Sequence, residues 1–181
     1  MRPFVHGFVD EFMKFASDSR SSVERKHGIR VLGSWTEPEL DALGDTLGRL
    51  PPRLVRDNGA FKKVVRVPKL LNGPPSAPGH SMYRRHGKYK GTLVVFDKGV
   101  YDRSGKLDKV LFGKSVLHEL SHSFDENPSG PFGEPPFITD YASTSAKEDW
   151  AESFAEYFLH RTILRKKAPA KAAAIASFLG E

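Results

Sequence analysis

His118-Glu119-Leu120-Ser121-His122 is the stretch of the chain whose residue types and spacing most plainly allow chemistry. On a helix, imidazoles four positions apart share one face and reach one metal ion. The glutamate after the first is turned about 100° away, where it can address a water on that ion. The pattern H-E-x-x-H therefore reads as a zinc site with a general base, and a pair of histidines on an ordinary helix is the competing reading. Catalytic zinc sites take three protein ligands and leave the fourth position to water or substrate. A third donor has to come from elsewhere.

Position 125 is Asp and position 128 is Pro, where an extended H-E-x-x-H-x-x-G-x-x-H pattern would need Gly and His, so that class is excluded. With no cysteine in the chain, thiolate ligands, thiol nucleophiles and disulfides are excluded too. The best donor lies downstream, in the segment from Tyr141 to Glu152. Glu148 and Glu152 are four apart on an expected helix, so one carboxylate can bind metal while the other, a turn on, accepts the free ring N–H of a ligand histidine. Ser145-Ala-Lys-Glu148 is also a capping-box pattern, which would give Glu148 a purely local task. Asp140 and Asp125 are rival donors.

At these positions the chain resembles the peptidase domain of anthrax lethal factor and its relatives, which include the bacterial Pro-Pro endopeptidases. The likeness rests on H-E-x-x-H, Tyr141, Glu148 seven residues later, the Ala151-Glu152 pair, and Asp125 three residues after the second histidine. It covers approximately Leu93 to His160. The resemblance implies an α+β, gluzincin-like fold, one Zn2+ bound by His118, His122 and Glu148, and Glu119 polarising the attacking water. It further implies that Tyr141 donates a hydrogen bond to the oxyanion. Proline-directed cleavage belongs to one branch of these proteins, and no residue here assigns the chain to that branch.

The elements that must position these residues are readable in outline. Phe4, Val5, Phe8, Val9, Phe12 and Phe15 recur at helical spacing. Thr36-Glu37-Pro38-Glu39 opens a second helix through Leu43, Leu47 and Leu50, with Pro51-Pro52 as its stop. Residues 61–67 and 92–97 are rich in β-branched side chains and read as strands, separated by a Pro/Gly/Ser loop over 72–80. Helical patterns follow from about Leu107 through Phe124, from Ala146 through Phe158, and from Pro169 to Gly180, with a Pro- and Gly-rich loop over 126–136. The expectation is one domain over 1–181, with a helical part over 1–60 and a catalytic core over 61–181. A small mixed sheet precedes the H-E-x-x-H helix and a helical C-terminal half carries the third ligand. If the 91–97 strand lies at a sheet edge, its backbone can pair with an extended substrate; an interior place is the alternative.

The 181 residues carry a formal charge of +6, with basic residues bunched in 53–66 and at Arg84, Arg85, Lys88 and Lys90. Basicity of this size admits an anionic partner, but no nucleic-acid motif frames these clusters, so nucleic acid is disfavoured against a solvated basic face. The expected partner is a protein or peptide substrate. No apolar run is long enough to span a membrane, and the first residues lack a secretory pattern, which leaves a cytoplasmic protein or one exported by a specialised system. The remaining alternatives are a peptidase toxin or effector domain, and a basic binding module whose H-E-x-x-H is incidental.

Overall fold

The computed structural model describes residues 18–67, 81–84, 90–97, 100–124 and 130–181. The aromatic stripe at 4–15, the loop at 72–80 and Asp125 lie outside them. The described residues begin with a helix over 18–27 (α1), followed by strand β1 (Arg30–Gly33), helix α2 (Glu37–Leu47) and the short helix α3 (Pro52–Val55). Strands β2 (Lys63–Val67), β3 (Ser81–Arg84) and β4 (Thr92–Phe96) come next. Helix α4 (Lys109–Ser121), a 3-10 turn (Tyr141–Thr144), α5 (Ala146–Lys167) and α6 (Pro169–Leu179) complete the order. This is the expected α+β arrangement.

The sheet is mixed, in the order β1-β2-β4-β3: β1, β2 and β4 run parallel, and β3 is antiparallel to β4. One open alternative closes here and one expectation changes. The 92–96 strand is interior, hydrogen-bonded on both sides, so its backbone is unavailable to a substrate and the edge beside it belongs to β3. The stretch over 1–60 also contributes a strand, β1. At its end Gly33 has a φ of +91°, and a Cβ there would stand 2.2 Å from the Arg66 carbonyl oxygen, so glycine is required for β1 to lie against β2. Pro51-Pro52 ends no long helix: α2 stops at Leu47, and the proline pair starts α3, where a missing N–H costs nothing.

One end of the basic cluster at 53–66 is inside the protein. Arg66 is buried and bonds Glu39 at 3.1 Å and Asp97 at 2.6 Å, and Tyr101 donates to the same Glu39 carboxylate. Arg53 and Arg56 donate to backbone carbonyls, of Phe178 and of Arg25 and Lys26 respectively.

Helix α4 is set by Asp108, whose carboxylate accepts the N–H groups of Val110 and Leu111, a cap worth about 0.5–2 kcal/mol. Its start falls two residues after Leu107, where the cap dictates it. Phe112, Val116, Leu117 and Leu120 are buried, with Phe112 edge-on to Trp35. Helix α5 has an unbroken buried run from Asp149 to Ala155 because α4 packs on one flank and α6 on another. It runs on past Phe158, loses helical geometry at His160 and continues to Lys167. Helix α6 closes as expected, with Gly180 in the left-handed conformation. No helix among the described residues is long and apolar enough to cross a membrane.

Candidate metal centre

His118 sits in the last turn of α4 and His122 caps that helix with its backbone still helical, so the four-residue spacing does put both rings together, 5.1 Å between centroids. Trp150 locks this end of α4 to α5, its ring N–H donating to the Ser121 carbonyl at 3.4 Å. The same packing brings up the first turn of α5. There Ser145 caps the helix by accepting the Glu148 N–H, and the Glu148 carboxylate turns away to the histidines.

One Glu148 oxygen lies 3.0 Å from His118 Nε2 and 3.6 Å from His122 Nε2. Among the described residues, this is the group of His, Asp and Glu side chains whose donor atoms all fall within 4.8 Å of one another. Although His118 Nε2 is close enough for a hydrogen bond, the geometry is off axis, and that buried Glu148 oxygen has no aligned donor. Converging donor atoms that do not point at each other are what ligands of a shared ion look like. Two donors each about 2.0–2.1 Å from a tetrahedral zinc stand about 3.3 Å apart, and the two separations bracket that value. The residues fit a metal ion.

Glu152 backs His118 from behind. Its Oε1 is 2.9 Å from His118 Nδ1, so when the ring gives up one proton to a metal, Nδ1–H stays on that carboxylate and the Nε2 lone pair faces the centre. Glu152 is held by Thr139 Oγ1 and Lys114 Nζ, both 2.8 Å from its other oxygen. Burial would lower the pKa of His118, but the carboxylates of Glu148 and Glu152 outweigh it and lift it to about 9. Burial raises and the histidines lower Glu148, with a net fall well below the carboxylate range. Glu152 is likewise opposed by burial and brought down to about 2 by His118 and Lys114. This negative pocket favours a cation, and protons compete with a metal for it.

Glu119 is partly buried, and its charge reaches both His118 and Tyr141. Tyr141 is 43% exposed at the head of the 3-10 turn, its ring 5.8 Å from that of His118. Burial first, then the charges of Glu148 and Glu119, raises its pKa, so the phenol keeps its proton for donation. Asp140, the rival donor, is exposed and stands outside the cluster.

Lys114 and Thr139 were not readable as site residues. Lys114 does lie one turn before His118 on the same helix face, but a lone lysine on a helix is ordinarily solvated. The triad is consistent with a zinc-protease active site. Comparison of the chain with protein-family models and with curated proteins finds no match in either. The resemblance to the lethal-factor peptidases stays on the motif residues.

Proposed function

We propose that the protein is a zinc-dependent endopeptidase that hydrolyses internal peptide bonds of a protein or peptide. What carries the reading is the convergence of His118, His122 and Glu148 at one point, beside a glutamate that is not part of that cluster. Zinc, when bound, supplies Lewis acidity, making a coordinated water far more acidic and polarising a carbonyl. His118, His122 and Glu148 would hold the ion, and Glu152 would keep His118 in the tautomer that binds it. Glu119 accepts a proton from the attacking water and returns it to the amine as the C–N bond breaks. Tyr141 donates its hydroxyl hydrogen bond to the oxygen that gains charge in the tetrahedral transition state. The reading of a nucleic-acid module has less support, since Arg66 is withdrawn from the surface and Arg53 and Arg56 are engaged with backbone carbonyls.

The test is metal analysis of the purified protein followed by peptide-library cleavage with and without chelator. Near-stoichiometric zinc and chelator-sensitive internal cleavage are expected. Metal-free protein that binds no added zinc would end the proposal. Tyr141→Phe is expected to keep zinc and lower turnover about 10²–10³-fold, the scale of one lost oxyanion donor. Steady-state kinetics check this, and unchanged turnover would reduce the tyrosine to packing. Glu152→Gln is expected to weaken zinc binding about 10- to 100-fold, as loss of a ligand's hydrogen-bonding partner does. Competition against a chromogenic chelator measures it.

A further inference from the structure

The segment over 131–139 has no regular secondary structure, yet it delivers Thr139 to Glu152 and leads straight into Tyr141. Something other than a helix or sheet must fix it. Behind it lies an ion pair, Lys171 of α6 with Asp149 of α5, 2.6 Å apart, their side chains 2% and 0% exposed. A buried pair of this kind adds little stability over apolar replacements, which directs attention to what it holds in place. Lys171 Nζ also donates to the Pro136 carbonyl at 2.8 Å and stands 4.7 Å from the centre of the Phe137 ring. The Asp149 oxygen that meets Lys171 also accepts the Gly133 N–H at 2.8 Å. At Gly133, with a φ of +92°, a Cβ would come within 3.1 Å of the Ala146 side chain, so the backbone is pressed against the start of α5. Phe132 closes the same contact edge-on to Trp150 at 5.1 Å.

We propose that Lys171, paired with Asp149, is a positioning residue that clamps the 131–139 segment through Gly133 and Pro136 and thereby sets Tyr141 over the metal centre. Asp149 directly follows Glu148 in the chain, so the clamp references the tyrosine to the same helical turn that carries the proposed ligand. Its kinetic consequence rests on the endopeptidase reading; the clamp itself does not.

Lys171→Met alone would strand a buried carboxylate and threatens folding. The informative variant is Lys171→Met with Asp149→Asn, in which both charges go and the Asn oxygen still accepts the Gly133 N–H. In the zinc-loaded protein, the pair variant is expected to keep its zinc affinity and lower kcat about 10- to 100-fold, the effect of a misplaced catalytic group. Made in a Tyr141→Phe background, the same pair should cost no more than about twofold, because the residue it places is already disabled. An equal loss in both backgrounds, an unchanged kcat, or a loss of zinc affinity matching the loss of kcat would each overturn the proposal. Amide hydrogen exchange supplies a readout independent of activity: the 131–141 amides should exchange about tenfold faster or more in the pair variant while α4 keeps its protection. If zinc-loaded wild type cleaves no peptide, the endopeptidase reading has failed and exchange alone judges the clamp. Unaltered protection over 131–141 would reject it.

Discussion

Glu119→Gln leaves the metal bound and slows peptide hydrolysis by about 10²–10⁴-fold, the contribution of a placed general base. The two halves of this expectation come from different features of the site. Metal retention follows because Glu119 is outside the group of His118, His122 and Glu148, whose donor atoms converge. Loss of turnover follows because an amide matches the carboxylate in size but cannot accept the proton of the attacking water. Glu119 is close enough for its charge to act on both His118 and Tyr141, the proposed ligand and the proposed oxyanion donor. Zinc content by atomic emission and single-turnover cleavage of a selected peptide check the two halves separately. Metal loss in this variant would move Glu119 into the ligand set. Full activity would leave the site without a base and the mechanism without its proton acceptor.

How much of this was in the sequence depends on the range of the interaction. The paired histidines were legible because one helical turn fixes their geometry, and Glu148 with Glu152 for the same reason. What spacing could not decide was where the Glu148 carboxylate goes, since a capping box and a metal ligand present the same residue pattern. In the structure Ser145 takes the Glu148 backbone N–H, and the carboxylate is 3.0 Å from His118. Contacts between distant segments left no periodic trace. Lys114 and Thr139 reach Glu152, and Lys171 reaches Asp149, only because α4, α5 and α6 pack together. The short strands β1 and β3 give too few residues for alternation to stand out, and the interior place of β4 depends on β3 pairing with it. The buried Arg66 belongs to the same class: in sequence it is one more basic residue, and only Glu39 and Asp97 explain it.

Glu148→Gln is expected to abolish tight zinc binding while leaving the fold intact, a larger loss than the about 10- to 100-fold that follows removal of a ligand's hydrogen-bonding partner. Substitution at this position separates the local and the metal roles cleanly. The cap of α5 uses the Ser145 side chain and the backbone N–H of residue 148, neither of which the amide alters, so the helix start keeps its cap. The ligand role needs an anionic oxygen at the point where His118 and His122 converge, and a neutral amide offers a far poorer donor to zinc. Asp140→Asn is the control, since Asp140 is exposed and outside the cluster. Zinc dissociation constants for Glu148→Gln, Glu152→Gln and Asp140→Asn should rank in that order of loss, with each variant still folded by circular dichroism. A loss greatest in Asp140→Asn would overturn the ligand assignment. A drop in apo melting temperature in Glu148→Gln with zinc affinity intact would return Glu148 to a helix-capping residue and leave the two histidines without their third partner.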